Sequence, residues 1–114
     1  MNFQPIPVED ERIAHEVIGA AIEVHRLLGP GFLEKIYERA MVHELGLRGL
    51  AVQAQKEILV PYKGIQIAGQ QLDLLVCERV LLELKTVDHL HPIHEAQLLS
   101  YLKATGLRLG LLLN

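Results

Sequence analysis

The chain has no tryptophan and only two phenylalanines and three tyrosines among 114 residues, so its core must be built from Leu, Ile, Val and Ala. A single cysteine, Cys77, excludes an internal disulfide and fits a reducing compartment. No apolar run approaches the roughly 20 residues that a membrane-spanning helix needs. The opening residues, MNFQPIPVEDER, have neither a basic start nor an apolar stretch, so no signal peptide and a cytoplasmic location are expected. Repeats and low-complexity segments are absent. So is the basic excess of a strong non-specific nucleic-acid binder: 11 Lys and Arg stand against 14 Asp and Glu, a net charge of −3. Any grip on DNA or RNA must come from local basic residues, from bound metal, or from a second copy of the chain.

What the chain has is hydrophobic material. Half of its residues are apolar, enough for a globular fold, and the length fits one domain over residues 1–114. Residues 1–7, with Pro5 and Pro7, predict an irregular lead-in. Ile13, Val17, Ala20 or Ala21, Val24 and Leu28 then recur at helical spacing, predicting a helix over about Val8 to Leu28. Glu9, Asp10 and Glu11 suit its positive end, and Gly29-Pro30-Gly31 stops it. A second helix is expected over Leu33 to Leu45, on a stripe of Leu33, Ile36, Tyr37, Ala40 and Met41. Strands are expected over Gln53 to Tyr62 and, in short form, Ile65 to Ala68. A third helix begins at Pro92 and ends at Thr105 before Gly106. The nearly all-apolar Leu107 to Leu113 predicts a final strand inside the sheet rather than at its edge. Helices flanking strands in this order make a small layered α/β fold.

The stretch Gly69 to Val87, GQQLDLLVCERVLLELKTV, is the centre of this arrangement. It reads as two Leu- and Val-rich strands joined by a tight turn, yet Asp73 and Glu83 stand in their middles, with Lys85 two residues on. A charge inside an apolar strand costs several kcal/mol unless paired, hydrated or metal-bound. A three-residue turn at Cys77-Glu78-Arg79 sets Asp73 opposite Glu83 and puts Asp73, Glu83 and Lys85 on one face. Leu72, Leu74, Val76, Leu82 and Leu84 then share the other. A two-residue turn would bury one acid in the core, so the hydrophobic pattern selects the odd-length turn. Two carboxylates at that separation suit a hard cation such as Mg²⁺ or Mn²⁺.

Asp73, nine intervening residues and then Glu83-Leu84-Lys85 resemble the core of the PD-(D/E)xK nuclease superfamily. The run Ile18 to Arg26, the loop Leu28 to Gly31, and Gly31-Phe32-Leu33-Glu34-Lys35-Ile36-Tyr37 are similar to the GxxExxY protein family within it. Val60 to Lys63, Leu72-Asp73-Leu74 and His94 to Leu102 continue the likeness, which covers about Val8 to Asn114. The resemblance implies a restriction-endonuclease-like α-β-β-β-α-β core, with a mixed central sheet flanked by helices and an extra N-terminal helix. It also implies a further short segment after an Asn-aromatic pair, whereas this sequence stops at Asn114.

The same resemblance implies a Mg²⁺- or Mn²⁺-dependent nuclease acting on DNA or RNA. Glu34, Asp73 and Glu83 would hold the metal, Lys85 would activate water and offset phosphoryl charge, and Gln97 would assist. Tyr37 is expected in packing with its hydroxyl near the site. Gln97 and Tyr101 lie one helical turn apart, either at the phosphate or in ordinary helix packing. His89, His91 and His94 have loop spacing that invites zinc, but a structural zinc wants four ligands. His25 fits packing or a helix C-terminus. Lys35, Arg39, Lys56, Lys63, Lys103 and Arg108 are candidates for phosphate contact. The alternative is a hairpin with two solvated carboxylates in a non-catalytic nucleic-acid- or protein-binding module, which the acidic charge favours. A homodimer through the sheet edge or final strand is compatible with both.

Overall fold

The computed structural model describes residues 5–114; of the expected lead-in, residues 1–4 lie outside the described residues. Helix α1 (Val8–Leu28) follows. Its three acids lie in the first turn, and its buried side is Ile13, Val17, Ala20 and Val24, the periodic set. It ends at Gly29, whose left-handed φ of 69° closes a bond from its N–H to the His25 carbonyl at 2.8 Å.

Helix α2 (Glu34–Leu47) is shifted from the expected span. Met41 and Leu45 are its buried residues, with Tyr37 and Ala40 half-buried beside them. Leu33 and Ile36, expected on the stripe, are exposed. Leu33 lines a cleft and Ile36 is not among the residues packed on the core. Arg48, just past α2, pairs with Glu16 of α1 at 3.1 Å and Glu44 at 3.3 Å. Its guanidinium lies across Gly19, where a Cβ would come within 2.8 Å of it.

The sheet runs in the order β1 (Val52–Tyr62), β2 (Ile65–Val76), β3 (Val80–Leu84), β4 (Leu109–Leu113). The first three strands are antiparallel and β4 is parallel to β3. The short return strand and the first hairpin strand are one continuous β2. Its register against β1 shifts between Ile58 and Val60, where β2 carries an extra residue near Gly69 (φ 123°). Helix α3 (Pro92–Thr105) crosses from β3 to β4 and stops at left-handed Gly106, as expected.

Among the described residues strand β4 is not inside the sheet but at its edge, pairing with β3 alone. Its apolar run has another cause. Leu109, Leu111 and Leu113 pack into the core beneath α1 and α2. On the other face Leu98 of α3 lies so close to Gly110 that a Cβ would meet its Cδ1 at 2.9 Å. Both faces are covered, which makes a strand apolar whether or not its second edge is paired.

Two cores result. Leu74, Val76, Val80, Leu82 and Leu84 meet α1 and α2; Leu75, Leu81, Ile58 and Leu72 meet Tyr101 of α3. The three-residue turn is present, with Leu74 opposite Leu82 and Val76 opposite Val80. Leu72 departs from expectation by joining the α3 core instead of the face of Leu74. The β2–β3 ladder ends at Leu74, and opposite Asp73 on β1 Gln55 has a positive φ of 53°. Leu72 and Leu74 therefore belong to different cores on either side of this interruption.

The architecture is therefore three helices and a four-stranded mixed sheet, an α-β-β-β-α-β core preceded by an extra helix. No helix of the described residues is long and apolar enough to cross a membrane.

Candidate functional site

Asp73 and Glu83 come together where the β2–β3 ladder stops. The Asp73 N–H donates to Glu83 Oε1 at 2.9 Å, and the Leu84 N–H donates to Asp73 Oδ2 at 2.8 Å. Each carboxylate thus satisfies a backbone donor that a continued ladder would have served. The two carboxyl groups also touch each other side chain to side chain, which helps hold the Glu83 proton.

The pair is sunk between the sheet and α3. Glu83 is only 5% exposed, which removes the solvated-carboxylate alternative for that residue. Burial pushes its carboxyl up to about 7, with the negative charge of Asp73 adding to the shift. The Asp73 N–H and the Lys85 ammonium pull the other way. Lys85 therefore lies within electrostatic reach of the pair, half-buried at the end of β3, where its N–H extends the parallel pairing to the Leu113 carbonyl at 2.8 Å.

Tyr101 is the third wall. Its side chain is buried in the α3 core, and its phenol is pushed up by burial and then by the charges of Glu83 and Asp73. Its hydroxyl makes no hydrogen bond among the described residues. Gln97, one turn earlier, is half-buried, and its side chain likewise makes none. The sequence signal for Tyr101 is its helical spacing from Gln97; in the structure Tyr101 packs in the α3 core and its phenol is within electrostatic reach of the acid pair.

Glu34 is the first residue of α2, on the helix that covers the opposite face of the sheet from Tyr101. It makes no hydrogen bond or ion pair among the described residues. Nor do three His, Cys, Asp or Glu side chains converge to hold a metal among them. The structure thus brings Asp73, Glu83 and Lys85 together, and Glu34 does not complete a three-ligand group with the two acids among the described residues.

Several other polar residues have local duties. The Tyr37 hydroxyl donates to the Gly29 carbonyl at 2.6 Å and accepts from the Phe32 N–H at 3.1 Å, tying down the loop between α1 and α2. His91 and His94 form a capping box at the start of α3: His94 Nδ1 accepts from the His91 N–H at 3.0 Å, and His91 Nδ1 from the Ile93 N–H at 3.3 Å. That accounts for two of the histidines that suggested zinc. His25 lines the cleft beneath the Gly29–Leu33 loop, beside Lys85 and Asp88.

Oxygen donors, a neighbouring ammonium and a low-dielectric wall form a set suited to a hard divalent cation and a phosphate. Two carboxylate oxygens fit an ion that keeps several waters and takes the rest of its shell from substrate. Comparison with curated proteins and with solved structures gives no match. A family model for the PD-(D/E)XK nuclease superfamily matches residues 11–114, nearly the whole chain and both arms of the site. With the strand order, the acid pair and the following lysine all in place, the chain belongs to the PD-(D/E)XK nuclease superfamily.

Proposed function

We propose that this protein is a divalent-metal-dependent nuclease of the GxxExxY type that hydrolyses phosphodiester bonds in DNA or RNA. The observation that carries the proposal is the exchange of backbone bonds between Asp73 and Glu83, which fixes both carboxylates and sets their oxygens side by side. Those oxygens would hold Mg²⁺ or Mn²⁺. The ion would supply Lewis-acid stabilisation of the phosphoryl oxygens and lower the pKa of a water. Lys85 would orient the attacking water and offset charge as it builds on the phosphate. Tyr101 and α3 would limit bulk water on one side, and Gln97 would help order the attacking water. Glu34 is left out of the direct ligand set because no three acidic side chains converge.

The test is Mn²⁺-dependent cleavage of single- and double-stranded DNA and RNA by the parent, Asp73→Asn and Lys85→Ala, with circular dichroism confirming folding. The expected result is cleavage by the parent and a loss of at least ~100-fold in both variants, the scale of removing one charge-stabilising group. Equal cleavage by all three would assign the activity elsewhere. Salt-sensitive oligonucleotide binding by a folded parent that never cuts would favour the non-catalytic binding module.

A further inference from the structure

Strand β3 pairs with β2 only from Leu74 to Val76, so among the described residues the β2 segment from Ile65 to Leu72 pairs with β1 alone. Beyond the acid pair the sheet is thus reduced to a two-stranded arm, closed by the turn Lys63-Gly64 with φ of 44° and 88°. A two-stranded ribbon is marginal in water unless a third strand or a packed face supports it. The root of the arm has that support, because Ile58 and Leu72 are buried with Tyr101 of α3. Further out, Val60, Tyr62, Ile65 and Ile67 are 37% to 58% exposed.

Those four side chains share one face. Val60 and Tyr62 alternate with Ile58 along β1, and Ile67 and Ile65 stand opposite them on β2. The other face pairs Glu57 with Gln71 and Pro61 with Gln66, with Leu59 between them. Sorting into an apolar and a more polar side is the pattern of a sheet that buries one face. From the Ile58–Gln70 pair to the Tyr62–Ile65 pair the apolar face has no charged residue. Lys56 bounds it at the root, and at the tip the Lys63 ammonium lies 5.5 Å from the centre of the Tyr62 ring.

Charge, area and the strand edge select what covers this face. A nucleic acid wants cations across the surface it meets, and here they stand only at the two ends. An uncharged face meets its own copy without repulsion, and across a two-fold axis one such face serves both sides. The four side chains offer on the order of 400 Å² per copy, and a pair with its polar rim reaches roughly 1,000–1,200 Å², the lower end for specific interfaces. Edge-to-edge pairing of β1 is opposed by Pro61. Tyr62 and Ile65 flank the two-residue turn, so the backbone of Pro61 faces away from β2, where it has no N–H to offer a third strand. We infer that this chain forms a two-fold homodimer in which the arms pack face to face through Val60, Tyr62, Ile65 and Ile67. The small area places it in the transient class, with dissociation in the micromolar range. The inference is independent of the nuclease reading.

Sedimentation equilibrium from micromolar to several hundred micromolar protein tests it. The expected result is a mass that climbs toward twice the 12.8 kDa of one chain. Ile65→Glu and Ile67→Glu, at exposed positions, should keep the circular dichroism of the parent and associate at least ~10-fold more weakly, the scale of burying one unpaired charge. Gln66→Glu, exposed on the other face, should associate like the parent. In a Cys77→Ser background, Ile65→Cys should give a disulfide-linked dimer under mild oxidation and Gln66→Cys should not. A parent that stays monomeric over the whole range overturns the inference. So does association that both glutamate variants of the apolar face leave unchanged, or crosslinking by Gln66→Cys and not by Ile65→Cys. If a monomeric parent binds an oligonucleotide in a salt-sensitive way that Ile65→Glu and Ile67→Glu abolish, the face belongs to nucleic acid and the homodimer is overturned.

Discussion

The carboxylate of Glu83 takes the backbone N–H of Asp73, and the carboxylate of Asp73 takes the N–H immediately after Glu83. Two side chains thus do the pairing that backbone carbonyls do along the rest of the hairpin. The exchange holds a buried Glu83 beside a half-buried Asp73, where their charges repel. One consequence is that the site stores unfavourable electrostatics in the metal-free protein.

Stability should therefore depend on pH in an unusual sense. The Glu83 carboxyl is raised from 4.5 to about 7, by burial first and by Asp73 second. Between those values the folded state binds a proton that the unfolded chain has released, so stability falls as pH rises. The contribution is fully present below pH 4.5 and lost through pH 7, a change of about 3 kcal/mol. Glu83→Gln keeps an acceptor for the Asp73 N–H and cannot ionise. In EDTA, urea unfolding should find this variant more stable than the parent at pH 8 and without that slope between pH 5 and 7.

Much of the site could be seen in the residues themselves. Period-two alternation with a three-residue turn fixed the Asp73–Glu83 pairing, because any even turn would have buried an acid against α1 and α2. The strand order at the edge was not visible. Leu107 to Leu113 is apolar because α3 and the α1–α2 core cover its two faces, and an apolar run cannot say whether its second edge is paired. Leu72 was misplaced because alternation assumes a regular strand, and the pairing is interrupted at Asp73 and Gln55. That no third acid joins the pair among the described residues was hidden for a similar reason. Helical spacing fixes neighbours along α2 but not where α2 lands on the sheet.

The turn of the central hairpin depends on a contact 69 residues away. Cys77 and Glu78 both have left-handed φ, 52° and 57°, a conformation costing roughly 1–2 kcal/mol per non-glycine residue. Arg79 anchors it by donating to Asp10 at 2.9 Å, and the Asp10 side chain is only 4% exposed. Arg79→Ala would strand a buried carboxylate. The expected loss is about 2–3 kcal/mol, below the full figure for a buried pair because the arginine is half exposed. Asp10→Asn added to Arg79→Ala should restore much of it. Denaturant midpoints of the two single variants and the double variant give the coupling.

Gly110 is the point where α3 and β4 touch. A Cβ there would meet Leu98 Cδ1 at 2.9 Å and Cγ at 3.2 Å. Gly110→Ala requires only a rotation at the end of a flexible side chain, whereas Gly110→Val also adds two methyls to a filled space. The valine variant should lose roughly 1–3 kcal/mol, and trimming Leu98 to Ala in the same chain should recover part of it. Thermal unfolding of the two single variants and the double variant measures this. Because α3 also carries Tyr101, the valine variant should lower cleavage more than its loss of stability accounts for.

Metal binding should release a proton, and this ties the acid pair to its proposed ion. A ligating carboxylate must be ionised, yet below about pH 7 Glu83 holds a proton in the metal-free protein. Affinity for Mn²⁺ should therefore rise about tenfold per pH unit up to pH 7 and level off above it. Calorimetric titration with Mn²⁺ at pH 6, in two buffers of different ionisation enthalpy, should give heats that differ by close to one proton. At pH 8.5 the two buffers should agree. Asp73→Asn removes the neighbouring charge, which should bring the Glu83 carboxyl back toward its ordinary value and remove one ligand together. Proton release in that variant should vanish with the binding itself. Mn²⁺ heats that are the same in both buffers at pH 6 would place the ion away from Glu83.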